Sequence, residues 1–373
     1  MLKVLFLLPN LTRGSAVRQV AALARGLKAR GCEPRVCALR GGAGAEALAI
    51  AGVKPAVVSR GWLCDPRPYS GLIRVVRSFA PDVVHSWQGC EQPLIQSLIA
   101  WNSTASRIVS VDRPLPNFSP LFDRFLRPSQ ADSLQWIVPS PAVAGGFSGA
   151  STTVIAPPAL PHRPTLRSPA SLREELGIRP EARVILCAGR LVARNSWYDA
   201  LWAMDILHFV QPHACLLVAG EGPDRSRLEA FVQANGIQDR IRFLGWRDDL
   251  GELVQLAEAV WLPTRIDALP LVLLEAMALA RPVIAARQPS IAAIVRDGET
   301  GLLFPAGDKP ALARQTRWLL QHWEEAFRIG ASAQRLVQAH FTAEAWIDRH
   351  LAIYSATKLQ SHRALPGQKR RAA

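Results

Sequence analysis

Apolar and polar positions along this chain follow two rhythms that replace one another in turn. Short apolar runs recur: KVLFLL, PRVCAL, VKPAVVS, DVVHS, RIVSV, QWIVPS and TTVIAP in the first half, RVILCAG, ACLLVAG, RIRFLG, AVWLPT and RPVIAA in the second. Runs of this length predict buried strands. Between them lie stretches with helical spacing over Ser15–Arg30, Ser70–Phe79, Trp197–His208, Asp224–Asn235 and Leu271–Leu279. Three more helices, near Lys309–His322, Glu324–His340 and Glu344–Lys358, close the chain. In the first helix Val17, Val20, Ala21, Ala24 and Leu27 share one face, and Gly31 stands where a C-cap belongs.

The pattern breaks once. PPALPHRPTLRSP, residues 157–169, reads as a proline-rich linker. Strand–helix alternation on both sides of it predicts an α/β chain of two doubly wound, Rossmann-like domains, residues 1–160 and 170–340, followed by a basic tail over 361–373. Ligands of such sheets bind outside the carboxyl ends of the strands, so two of them are expected to face each other across a cleft.

Composition agrees with a folded two-domain chain: 373 residues, 49% hydrophobic and 20% charged. The cysteines (Cys32, Cys37, Cys64, Cys90, Cys187 and Cys215) form no CxxC and no zinc spacing, and read as buried free thiols of a reducing cytosol. MLKVLFLLPN reads as a first strand rather than a secretory signal. ALPLVLLEAMALA is too short to span a bilayer and carries Glu275 in its middle, so no transmembrane helix is expected. A net charge of +14 suits an anionic donor or an anionic membrane face; no nucleic-acid motif accompanies it, and charge alone decides little.

The strongest chemical signal is TRIDALPLVLLEAMALARPVIAA, residues 264–286. Asp267 falls in a loop, and Glu275 lies one turn into the helix that follows Pro270. A carboxylate there can accept two hydrogen bonds from a vicinal diol such as ribose. The plainer reading is a surface acid and a helix-face acid, but an acid inside so apolar a helix needs a partner.

This segment resembles the signature E-G-x-P-x-x-x-x-E-A-M-A-x-G-x-P-V-I of the retaining GT-B glycosyltransferases of family GT4. Further blocks carry the resemblance in order: GSAVRQVAALARGLKARGCEPRV from Gly14, PDVVHSW (81–87), GRLVARNSWYDAL (189–201), LLVAGEGPDRSRLE (216–229), RIRFLGWRDDL (240–250) and VRDGETGLLFPAGD (295–308). The resemblance implies a GT-B architecture: an acceptor domain, a nucleotide-sugar donor domain, and a last helix, 341–360, crossing back to the first domain. It also implies transfer of a sugar from a nucleotide sugar to a glycan or lipid-linked acceptor, with retention and without metal or other cofactor. The setting it implies is cytoplasmic, at the inner face of a membrane.

By the same resemblance, Asp267, Arg190 and His85 are the expected catalytic set. Gly14, Arg190, Arg194, Asn195, Gly220, Leu269, Pro270, Leu271 and Glu275 are the expected donor-binding set, with Glu275 on the ribose and Arg190 on the diphosphate. Helix-start N–H groups near Leu269–Val272 would add phosphate donors. Four positions depart from the pattern. Asn195, beside Arg194, replaces the lysine that follows the donor arginine; Asp267 is shorter than the usual glutamate; Trp87 or Cys90 stands where a histidine often falls, leaving His85; Ala293 replaces a glutamate. These departures keep a rival open, a catalytically impaired nucleotide-binding partner of an active transferase; a sugar-nucleotide epimerase is a third reading.

Two further features carry plainer readings. FSPLFDRFL, residues 118–126, flanked by Arg113, Arg124 and Arg127, is a core helix or a membrane-surface patch. GGAGAEA, residues 41–47, lacks the lysine of a phosphate loop and reads as an ordinary loop. On spacing alone, His85 could equally be a buried, satisfied histidine.

Overall fold

A computed structural model describes residues 1–58, 67–87, 99, 103, 105–111, 134–147, 151–160 and 167–363. The 118–126 segment and its flanking arginines, Cys64, Cys90, residues 161–166 of the linker and the tail from 364 lie outside them. The chain divides into two compact units, Met1–Pro157 with Ala343–Ala373, and Pro158–Thr342.

The first unit runs β1 (Lys3–Leu8), α1 (Ser15–Ala29), β2 (Glu33–Ala38), α2 (Ala45–Ile50), β3 (Ala56–Val57), α3 (Arg67–Phe79), β4 (Val83–Trp87), β5 (Ser106–Ser110), β6 (Leu134–Val138), α4 (Pro141–Ala144) and β7 (Ser151–Val154). Its strands form one parallel sheet in the order β3-β2-β1-β4-β5-β6-β7. β1 shows why the run KVLFLL becomes a central strand. Val4, Phe6 and Leu8 enter one core with α1, while Leu5 and Leu7 enter a second core with Leu72 and Phe79 of α3. A strand covered on both faces needs apolar residues at every position.

The second unit runs α5 (Pro169–Glu175), β8 (Arg183–Ala188), α6 (Trp197–His208), β9 (Ala214–Ala219), α7 (Arg225–Ala234), β10 (Ile241–Gly245), α8 (Leu250–Leu256), β11 (Ala259–Leu262), α9 (Leu271–Ala278), β12 (Val283–Ala286), α10 (Pro289–Ala292), β13 (Leu302–Phe304), α11 (Lys309–Gln321) and α12 (Trp323–His340). Its parallel sheet has the order β10-β9-β8-β11-β12-β13. The last helix, α13 (Ala343–Arg363), belongs to the first unit, where Trp346, Ile347 and Tyr354 join the core of β1 and α1. The two doubly wound Rossmann-like sheets and this returning helix are the architecture expected.

Some boundaries differ for physical reasons. VKPAVVS yields only Ala56–Val57, at the sheet edge and after Pro55, which has no N–H to give a ladder. GGAGAEA is a loop only as far as Gly44, and α2 begins at Ala45. Its glycines lie against the chain after β1: a Cβ on Gly42 or Gly44 would stand 2.4 or 2.8 Å from the Leu11 carbonyl oxygen. The described cysteines Cys32, Cys37, Cys187 and Cys215 are buried and free.

Candidate functional site

In the second unit the chain leaves β8 outward through β9 and β10, then returns to place β11, β12 and β13 on the other side of β8. The connection reverses direction between β8 and β11, and a crevice at the carboxyl ends of these two strands is where doubly wound sheets hold ligands. The loop bearing Arg190 leaves β8 there, and the loop bearing Asp267 leaves β11 beside it.

Main-chain bonds stitch the first loop to its neighbours. Leu191 N–H donates to the Glu221 carbonyl (2.9 Å), Gly189 N–H to that of Ala219 (2.9 Å) and Gly220 N–H to that of Gly245 (2.7 Å). Such closeness is why Gly220 is glycine: its φ is +147°, and a Cβ would lie 1.9 Å from the Gly189 carbonyl oxygen. Gly220→Ala should therefore destabilise this unit by about 1–3 kcal/mol, the cost of forcing a side chain into a glycine-only conformation. Urea unfolding would check this, and an unchanged midpoint would refute the stated packing.

Arg190 is exposed, and its main-chain carbonyl accepts from Asn195 Nδ2 (2.7 Å), Trp197 Nε1 (2.9 Å) and the Val192 N–H (2.9 Å). Asn195 thus spends its amide N–H on folding the loop, whereas Arg194 beside it is exposed.

After β11, Pro270 caps α9 with no side-chain bond to the helix start. Leu271 and Val272 supply N–H groups at that end, whereas Pro270 has none and contributes only its fixed φ of −68°. Asp267 is half-buried, and its Oδ1 accepts the Ser290 N–H at the start of α10 (2.7 Å). Glu275, one turn into α9, is 1% exposed and sits in the interior rather than on an open surface.

A neighbouring pair escaped sequence reasoning. Arg265 grips Asp199 through Nε and Nη2, both at 2.9 Å, with Lys309 Nζ 3.9 Å from the same carboxylate. Asp199 is buried in the first turn of α6. The one available signal was that Asp199 and Asp205 interrupt the largely apolar helix WYDALWAMDILH.

In the first unit, Gly14 precedes α1 in extended backbone, and a Cβ there would meet nothing within 4 Å. His85, expected in the catalytic set, lies buried in β4. It is 0% exposed, with Nδ1 2.7 Å from the Tyr354 hydroxyl and Nε2 2.7 Å from the Ser110 hydroxyl. Both ring nitrogens are satisfied inside the core. Burial, reinforced by His350 nearby, holds its pKa well below the ordinary histidine value, so the ring is neutral.

Residues 16–145 match glycosyltransferase family 4, and residues 182–322 match glycosyl transferases group 1. The chain belongs to glycosyltransferase family 4. It is similar to the α-D-kanosaminyltransferase of Streptomyces kanamyceticus, 29% identical over 187 residues, 50% of this chain and 48% of that one. It is also similar to the phosphatidyl-myo-inositol mannosyltransferase of Mycobacterium leprae, 42% identical over 126 residues, 32% of this chain and 33% of that one. The chain spans about half the length of the first of these relatives and a third of the second. Among solved structures, HepE of Anabaena with UDP-glucose has a TM-score of 0.85 at 18% identity, over 95% of this chain and 100% of that one. WaaG, a glycosyltransferase of lipopolysaccharide biosynthesis, has a TM-score of 0.73 at 17% identity, over 98% and 100%. At such identities the structures establish the GT-B fold.

Against the family pattern, the departures take definite places. Where family 4 has its second donor-site cation, this chain has a loop staple, Asn195, with Arg194 as the adjacent cation. Trp87, one of the two positions where the family's histidine would fall, is buried and stacks on His350 of α13 with ring centroids 6.3 Å apart; the other, Cys90, lies outside the described residues. Ala293 ends the short helix α10, whose start receives Asp267. Among the described residues, no group of three or more His, Cys, Asp or Glu could hold a metal ion, and no helix is long and apolar enough to cross a membrane.

Proposed function

We propose that this chain transfers a sugar from a nucleotide sugar to a glycan or lipid-linked acceptor, with retention and without a metal, and that it works in the cytoplasm. The observation that carries the reading is the shared position of Arg190 and the start of α9, at the carboxyl ends of the adjacent strands β8 and β11. A guanidinium and helix-start N–H groups on either side of one crevice suit a diphosphate whose charge rises as the sugar–phosphate bond breaks. Asp267, fixed by Ser290, is proposed to stand near the transferred sugar and Glu275 to accept the ribose hydroxyls. Gly220, Leu269 and Leu271 are proposed to shape the donor's surroundings with backbone, and Arg194 to supply the second charge. Family membership and the UDP-glucose held by the similarly folded HepE make UDP-sugars the first donors to test.

Titration calorimetry with UDP and GDP, followed by labelled-sugar transfer to an acceptor panel, tests the proposal. Glu275→Gln keeps the shape and removes the charge. It should weaken nucleotide binding by about 10- to 100-fold, the value of charge-assisted hydrogen bonds. Unchanged affinity in Glu275→Gln would remove Glu275 from the site.

A further inference from the structure

The two loops proposed to form the donor site hang from different strands, and their separation must be set by something. Most described ties of the second loop stay on its own side. Ile266 N–H donates to Thr264 Oγ1 (3.2 Å), Gln288 Nε2 to the Thr264 carbonyl (3.4 Å), and Ser290 N–H to Asp267. The Arg265–Asp199 pair is different, because it crosses the switch point to the first turn of α6, which continues directly from the Arg190–Asn195 loop.

The pair is seated on a third side as well. Gly307, between β13 and α11, has φ +86°, and a Cβ there would lie 2.9 Å from Arg265 Nη2. The absence of that Cβ gives the guanidinium its place. The Asp199 carboxylate accepts from both Nε and Nη2, which fixes the plane of the guanidinium as well as its distance.

We infer that Asp199 is a positioning residue of the donor site: through Arg265 it holds the Asp267 loop in register with the Arg190 loop. The inference rests on the donor-site reading above. Asp199 acts through Arg265 and is not itself assigned a contact with the donor. Because the transition state depends on the relative placement of the leaving phosphate and the sugar, loss of the strut should appear mainly in kcat, with nucleotide affinity less affected.

The test is a double-mutant cycle with Asp199→Asn, Arg265→Ala and both together, read as kcat and donor KM on folded protein. Each single variant should lower kcat roughly tenfold with KM within about threefold, and the double should be no worse than either single, because the two act as one unit. Arg265→Lys, which keeps one bond, should fall between parent and Arg265→Ala. In the absence of donor, amide exchange across residues 264–268 should speed up in Asp199→Asn. Arg265 is largely exposed, so Arg265→Ala serves if Asp199→Asn folds poorly. Additive losses, unchanged kcat, or unchanged exchange would each overturn the inference. Arg190→Ala measured alongside separates the cases: if it loses activity while the strut variants do not, this inference alone fails; if it keeps full activity, the donor-site reading fails and takes this inference with it.

Discussion

Replacing Arg190 with alanine should lower kcat about 10²- to 10³-fold, the scale for removing one preorganised group that faces developing negative charge. The protein should remain folded, because the Arg190 side chain is exposed and the bonds that shape its loop use its carbonyl, which alanine retains. Arg190→Lys should recover part of the loss: it restores the charge but not the planar fork that can meet two phosphate oxygens. Asn195 is committed to the loop, so any second charge at the leaving group falls to Arg194. Arg194→Ala should then matter more than its distance in sequence from the acids suggests. Initial rates with a labelled nucleotide sugar decide the matter; an Arg190→Ala enzyme that turns over like its parent would remove the leaving-group role from this residue.

Legibility in the sequence depended on how local each feature is. KVLFLL and the helix Trp197–His208 could be read to the residue, since a run buried on both faces and a helix lying between Ser196 and Pro212 announce themselves within about a dozen positions. The three-residue strand β13 and the four-residue helix α10 are too short for any period to show. Arg190, Asp267 and Glu275 are candidates from the sequence because they sit in blocks with a known order. The Arg265–Asp199 pair spans 66 residues and exists only because β8 and β11 are neighbours. The His85–Tyr354 contact spans 269 and exists only because the last helix returns to the first unit. Spacing could therefore say that His85 ends a strand run, but not that a helix lies over it.

That returning helix carries the second large expectation, an acid limb in stability. His350 of α13 donates from Nδ1 to the Trp346 carbonyl (2.9 Å), and its Nε2 accepts no hydrogen bond among the described residues. It stacks against Trp87 and His85, and burial pushes its pKa down to about 4. His85 is depressed in the same direction, again chiefly by burial. In the unfolded chain both rings titrate near 6.5, so below that pH the unfolded state binds more protons than the folded one. The stabilisation is therefore complete above about pH 7 and is lost as pH falls from 6.5 towards 4. At pH 5, His350 alone should have given up about 2 kcal/mol, which for a unit of this size lowers Tm by roughly 4–8 °C. His350→Phe keeps an aromatic ring between Trp87 and Trp346 but cannot take a proton, so its acid limb should be shallower while its Tm at pH 8 stays near the parent's. Calorimetric scans between pH 8 and pH 5 compare the two proteins directly. Identical limbs would mean that the first unit's acid sensitivity arises away from the seat of α13.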